Sequence, residues 1–470
     1  MVWLLLATVV EVGAIAADPA PTSAIYRLRV VLTTTSDWTS AGFTGAAFVG
    51  FLERVVEGAG AQELRVQSGV GELGVGKRAF DETKVVVEYE AYFTEVQGPW
   101  LTLTIGKGHI GFTRLEFYEY EPQGGETQPL LSFTHRGVAN PRDPENPRRF
   151  LIPAGSLLRG EPVTSSQRAF PRLALAFYYP WYGTPTGSSG QWIHWDPSRP
   201  NFASTHTPLE GYYDSLDEAT LTRHVHQAQE AGIHGFISSW WGPGTFEDRA
   251  FQELLAVAER EGFLVTVYYE QAHSRLQIVR DLSYVVRRYG ESPAFLKVDG
   301  VPAIFIYGRV TEGFSPEDWQ FVFGELEERG VDCFCIGDGL GATGLQGDAF
   351  LFQGFGGVHV YIPVGIPVEE LGDFYEAGEL RARVKGMLFA ATVVPGYDDR
   401  VIRTPGFSVD RQDGAYYRQT WEAAMASDPD WILITSFNEW HEGTEIEPSV
   451  ELGRRYLHLT RELIQAWLGN

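Results

Sequence analysis

From Leu173 to the C-terminus the chain alternates between two hydrophobic periods, and few architectures accept that alternation. Short apolar runs recur, reading LALAFYY, IHGFISSWW, LVTVYYE, PAIFIYG, CFCIG, GVHVY, MLFAATVV and WILITSF. They have the length and β-branched or aromatic content of buried strands. Between most of them lie stretches of helical period, at 217–231, 248–261, 275–289, 316–329, 369–383 and 414–427, and 451–468 closes the chain. The connection between the fifth and sixth runs is Gly-rich and shows no clear helix. Eight β/α repeats in about 300 residues have the size and rhythm of a TIM-type (β/α)8 barrel. The competing fold is an open doubly wound sheet. It would need a Gly-rich phosphate turn after an early strand, and none is found.

The first third has a different texture. From 26 to 158, runs such as YRLRVVLTT, KVVVEYEAYF and WLTLTIG alternate with period two and are separated by Gly, Asn and Asp. This predicts an all-β sandwich of jelly-roll type at 24–165, with a boundary inside 160–172 and the catalytic barrel at 172–470. Trp38, Tyr92, Trp100 and Tyr118 could form a sugar platform, although such aromatics more often fill a core. The first 17 residues read as an export signal, with Ala14-Ile15-Ala16 as the cleavage site. Against that stand Glu11 within the apolar run and the lack of an early Lys or Arg. The alternatives are a mis-called start or an apolar strand. The expectation is a secreted protein, and a cytoplasmic one if the stretch is not a signal.

A net charge of −24 argues against nucleic acid and anionic membranes, both of which need basic patches. No other stretch is long and apolar enough to span a bilayer. Cys333 and Cys335 share a strand face and would bridge poorly, so free buried thiols are expected. No HxH or HExxH spacing supports a metal site built from His359, Asp398, Asp399 and His441, and neither metal nor cofactor is expected. No stretch stands out as an oligomer interface, and a monomer is expected.

A barrel of this kind carries its active residues at the C-terminal ends of its strands. Those ends hold Tyr178, Tyr179, Trp181 and Tyr182; Ser239, Trp240 and Trp241; Glu270 and His273; Tyr307; His359 and Tyr361; and Tyr397 with Asp398, Asp399 and Arg400. The fifth tip, Asp338, sits among glycines and is less informative. The long loop after the first strand adds Trp192, His194, Trp195, Asp196 and His206 and is expected to wall a cleft. The last strand runs into the densest cluster, Asn438, Glu439, Trp440, His441, Glu442, Glu445 and Glu447. Carboxylates can act as acid and base, amide and imidazole can bind hydroxyls, and an indole can stack on a sugar ring. The alternative is a solvated acidic turn after a core strand.

These motifs together resemble glycoside hydrolase family 99, the endo-α-1,2-mannosidases and endomannanases. They are YYPWYG at Tyr178, HW at His194, SWWGP at Ser239, Glu270, PGYDD at Pro395, and SFNEWHEGTEIEP at Ser436. The resemblance covers about 173–468. It implies a retaining endo-acting hydrolase on an oligo- or polysaccharide with α-mannosidic bonds. It also implies an unusual route, in which Glu439 is the base on the substrate's own 2-hydroxyl and Glu442 is the acid/base that protonates the leaving group and later opens a 1,2-anhydro sugar. Tyr178, Tyr179, Trp181, Tyr182, His194, Trp195, Trp240, Trp241, Glu270, Tyr307, His359, Tyr361, Tyr397, Asn438, Trp440 and His441 would hold sugars. Carboxylates three apart suit one-sided work, whereas ordinary double displacement sets two carboxyls roughly 5–5.5 Å apart across the ring. The sequence departs from the family pattern at Glu445, where Gln is usual, at Pro180, where a small residue is usual, and in its β-rich first third. The exact glycan is therefore open. The alternatives are a two-carboxylate glycosidase using Glu270, and a non-catalytic carbohydrate-binding barrel.

Overall fold

The computed structural model describes residues 170–339, 354–384 and 386–469, and eleven strands between Ala24 and Pro162. The expected signal stretch, the side chains of Trp38, Tyr92, Trp100 and Tyr118, and residues 340–353 of the fifth-to-sixth connection lie outside the described residues.

Eight parallel strands form the barrel: β1 (Leu173–Tyr178), β2 (Gly235–Trp240), β3 (Leu264–Tyr269), β4 (Val301–Ile306), β5 (Phe334–Asp338), β6 (Gly357–His359), β7 (Leu388–Val393) and β8 (Trp431–Ile434). Each pairs with its neighbour in chain order. β8 returns to β1 with Leu173 beside Trp431 and Ala176 beside Ile434, which closes the cylinder. The helices described around it are α1 (Glu218–Glu230), α2 (Phe246–Glu261), α3 (Arg275–Tyr289), α4 (Pro316–Glu328), α5 (Leu371–Val384), α6 (Ala415–Ala426) and α7 (Arg455–Leu468). Local chemistry sets several ends. Thr245 caps α2 by accepting from Asp248 N, and Gly262 ends it with φ +65°. Ser315 and Asp318 form a capping box ahead of α4, with Pro316 in the first turn.

The strand pleat sorts the core into two layers. Leu175, Phe177, Ile237, Phe305, Ile336, Leu388, Trp431 and Leu433 pack together inside the cylinder. Their sequence neighbours Ala174, Ala176, Phe236, Ile304, Phe389, Ile432 and Ile434 pack outward against the helices. Burying each large side chain contributes about 1.5–3 kcal/mol, so both layers hold the strands in register.

Ahead of the barrel, the described strands pair antiparallel in two sheets. One runs through Ala24–Thr34, flanked by Val85–Thr94 and Phe112–Tyr118. The other includes Thr39–Thr44, flanked by Glu72–Lys77 and Trp100–Ile105. Cys333 and Cys335 are free thiols with their sulfurs 3.5 Å apart; Cys335 is buried and Cys333 half-buried.

Candidate active site

The same pleat decides which tip residues reach the mouth. Tyr179 and Tyr268 continue the inner layer, whereas Tyr178, Trp240 and Tyr269 continue the outer one. Tyr178 stacks on Phe236 at 4.6 Å and its hydroxyl meets His224 Nδ1 at 3.0 Å. Trp240 Nε1 donates to Asp248 Oδ1 at 2.8 Å, an aspartate that also accepts from Tyr284 and Tyr289. The sugar contacts expected of Tyr178 and Trp240 are thus replaced by packing against helices. His359 faces inward but sits below the mouth, enclosed by Phe177, Tyr268 and Phe305. Burial lowers its pKa to about 3, so the ring is neutral.

Beyond Ile434 the chain turns across the top of the barrel and is bolted to β1. Asn438 Oδ1 accepts from Tyr179 N at 2.7 Å, and Asn438 Nδ2 donates to Tyr179 O at 3.0 Å and Tyr213 Oη at 3.1 Å. Trp440 Nε1 donates to Tyr213 Oη at 3.0 Å and to Glu447 Oε2 at 3.2 Å. Tyr213 itself donates to Glu447 at 2.8 Å. Tyr182 Oη donates to Asn438 O and accepts from Trp440 N, and Trp195 stacks on Tyr182 at 4.0 Å. Asn438, Trp440, Tyr182 and Trp195, all expected to touch sugar, are buried in this clamp and do not line the cavity beside it.

That cavity has a volume of about 390 Å³. Six of the residues named from sequence line it: Trp181, His194, Asp196, Glu439, His441 and Glu442. Trp181 and His194 stack at 4.5 Å with planes 4° apart. His194 holds φ +57°, a left-handed conformation that costs a non-glycine residue energy and that the loop must maintain. Burial, reinforced by His441, lowers the His194 pKa to about 4. His441 Nδ1 donates to Ala203 O at 3.0 Å, which fixes the tautomer. Its Nε2 is buried and has no partner among the described residues, so it presents an acceptor.

The two carboxylates of the cavity differ. Glu439 is almost fully buried; its Oε1 accepts from His441 N at 3.0 Å. Burial pushes its pKa well above the usual carboxylate range, and the charge of Glu442 pushes it further. Glu442 is more open and accepts from Arg403 Nη2 at 2.8 Å. Its pKa is also raised, because burial outweighs the Arg403 contact. Arg403 is in turn held by Asp399 at 2.8 Å and Tyr397 at 2.6 Å. Nothing local in the sequence marks Arg403. Arg199, Ala203 and Ile402 also line the cavity and had not been singled out for it.

A second polar group stands on the β3 to β6 side. Tyr268, Tyr307 and Tyr361 have ring centroids 5.4–5.8 Å apart, and Tyr179 Oη donates to Tyr361 Oη at 2.5 Å. Glu270 is buried beside them; burial raises its pKa to about 7, a hydrogen bond with Ser239 offsets part of this, and one of its oxygens has no partner among the described residues. Asp338, passed over in the sequence, accepts from Tyr361 N and Gly308 N at 3.1 Å each and from Tyr268 Oη at 3.3 Å. Burial lifts its pKa to about 7 despite those donors. Trp241 is half-buried, with Nε1 donating to Ser239 Oγ at 3.1 Å. Among the described residues no cluster of three or more His, Cys, Asp or Glu could hold a metal ion.

Comparison with known proteins matches this arrangement to one family. The profile of glycosyl hydrolase family 99 matches residues 197–459, more than half of the chain. The glycoprotein endo-alpha-1,2-mannosidase of Rattus norvegicus is 29% identical over 317 residues, 58% of this chain and 67% of the relative. The glycoprotein endo-alpha-1,2-mannosidase-like protein of Homo sapiens is 28% identical over 314 residues, 58% of this chain and 68% of the relative. The solved GH99 endo-alpha-mannosidase from Bacteroides thetaiotaomicron superposes with a TM-score of 0.57 at 27% identity, covering 63% of this chain and 97% of that one.

Proposed function

The chain belongs to glycosyl hydrolase family 99 and is a glycoside hydrolase, and on that premise we propose that it cuts internal α-1,2-linked mannosidic bonds of a mannan or related glycan with retained configuration. The observation that carries this is the placement of Glu439 and Glu442 on one cavity wall, three residues apart in one loop. In this reading Glu439 takes the proton from the substrate's 2-hydroxyl. The freed oxygen attacks the anomeric carbon as Glu442 protonates the departing oxygen, giving a 1,2-anhydro sugar. Glu442 then takes a proton from water, which attacks the anomeric carbon on the face the leaving group vacated, and Glu439 returns its proton to the 2-oxygen as the three-membered ring opens. The net outcome is hydrolysis with two inversions. The raised pKa of Glu442 supports its role as the acid, since an acid must hold its proton near neutrality. Trp181 offers a ring to a sugar face, and His441 Nε2 an acceptor to a hydroxyl.

A second reading has its own support. The charge of Glu270 is felt by Glu439, and that of Glu442 by Glu270. Glu270 comes from a different strand and has an unengaged oxygen, as ordinary double displacement requires. Product analysis on α-mannans and other α-linked glycans tests the first reading: a short oligosaccharide of retained configuration is expected. A covalent glycosyl-enzyme on Glu270, trapped with a fluorosugar, would transfer the mechanism to the second. We further read the two antiparallel sheets as a β-sandwich accessory domain at 24–165 and the protein as exported. Mass spectrometry of the N-terminus after expression from the full chain checks the latter.

A further inference from the structure

Behind the loop that carries Glu442 lies a second cavity of about 400 Å³. It contains none of the cavity residues described above, yet the wall between the two is thin. Asp398 N donates to Glu442 O at 2.7 Å, and Arg411 Nη2 donates to Gly443 O at 2.9 Å. Gly443 has φ +58°, a backbone conformation that strains a side chain, and a Cβ there would crowd Thr205 at 3.1 Å. The lining is polar and charged, with three aspartates and three arginines, and each arginine is paired. Arg400 binds Asp398 at 2.6 Å, Arg455 binds Asp413 at 2.6 Å and Arg411 binds Glu445 at 2.8 Å. Adjacent donors and acceptors of balanced charge suit a neutral polyol better than an ion.

One exposed ring packs against the lining of this cavity. Phe407 is 49% exposed. Its ring stacks on Tyr397 at 4.6 Å with planes 23° apart, and its backbone N–H is pinned to Asp399 Oδ1 at 2.8 Å. Tyr397 lines the second cavity and hydrogen-bonds to Arg403, which lines the first and holds Glu442. A solvent-exposed aromatic ring held in place by a stack on the cavity lining offers a face on which a sugar ring can stack.

We propose that Phe407 and the second cavity form a distal sugar-binding site on the leaving-group side, taking neutral pyranose units of the same glycan beyond the bond that is cut. This rests on the reading of Glu442 as the acid, which puts the departing sugars on its side of the cleft. The occupant follows from continuity: the loop bearing Phe407 also supplies Ile402 and Arg403 to the first cavity.

The test compares two substrates. One is an α-1,2-linked mannan oligosaccharide extended on the leaving-group side; the other is α-mannobiosyl fluoride, whose leaving group carries no sugar. The variants are Phe407→Ala and the double variant Asp413→Ala/Arg455→Ala, all at exposed side chains. The ratio of kcat/KM on the oligosaccharide to kcat/KM on the fluoride is expected to fall about 10-fold for each, the scale of one lost apolar or polar contact to substrate. A ratio equal to that of the wild type overturns the distal site and leaves the function standing. If both rates fall together, the ratio is again unchanged, and the stack acts on Glu442 through Arg403 instead. If the wild type cleaves neither substrate, the functional reading fails and this site falls with it.

Discussion

Asn438 and Trp440 flank Glu439 in sequence, yet they live in a different environment. The flanking side chains turn into the clamp between β8 and β1, where the amide of Asn438 and the indole N–H of Trp440 each find protein partners. Glu439 turns the other way, into a cavity, with a carboxyl held at raised pKa. The clamp stabilises the fold, and the cavity destabilises it by burying carboxyls whose charged forms burial disfavours. Polar residues at a strand tip are therefore of two kinds, neutral groups paired within the protein and carboxyls held at raised pKa.

Substitution on the cavity side is expected to act on rate and not on folding. Glu442→Gln and Glu439→Gln are each expected to lower kcat on the glycan by about 10²–10⁴-fold, the range of general acid–base catalysis, with Tm unchanged or raised. Substitution on the clamp side should do the reverse in kind. Asn438→Ala strands Tyr179 N and O in a buried setting and is expected to cost about 2–4 kcal/mol of stability, read from denaturant unfolding. A stable, inactive Asn438→Ala would move that residue to the cavity's side of the comparison.

Glu270 sharpens the contrast through pH. Its carboxyl is raised from an ordinary value near 4.5 to about 7 in the folded chain. The folded state therefore holds this proton more tightly than the unfolded one, and the stabilisation is complete below pH 4.5 and lost as pH rises through 7. Glu270→Gln is expected to flatten Tm against pH across that window and to raise Tm above pH 7. An unchanged profile would show that Glu270 is ionised at little cost. The smallest effect is expected at Tyr178→Phe, which removes one bond to His224 on the outer face: about 1 kcal/mol of stability and no change in KM. A raised KM would put Tyr178 in contact with sugar.

The barrel was legible because its apolar strand runs recur eight times with helical stretches between most of them, and α3 runs over Arg275–Tyr289 as the pattern indicates. The site was legible in part. Glu439, Glu442, His441, His194 and Trp181 share one cavity because the densest polar run and the long first loop both mark chemistry. Tyr178 and Trp240 face the helices because strand parity, which the sequence reading did not apply, puts them on the outer face. Tyr178 follows Phe177, and the pair divides between the two faces of the wall. Arg403 was not legible, since its role exists only where the seventh loop meets the eighth. Asp338 was hidden by its glycines, although it fastens Gly308 and Tyr361 across neighbouring tips.

The central claim is that Glu439 and Glu442 divide base and acid work on one wall of the cavity. Rapid-quench release of fluoride from α-mannobiosyl fluoride tests it most directly. A fluoride leaving group needs little protonation, so Glu442→Gln is expected to give a burst of fluoride followed by slow turnover, because opening the intermediate still requires a base. Glu439→Gln is expected to give no burst. A burst from Glu439→Gln, or a sugar covalently attached to Glu270 during the burst, would contradict the account.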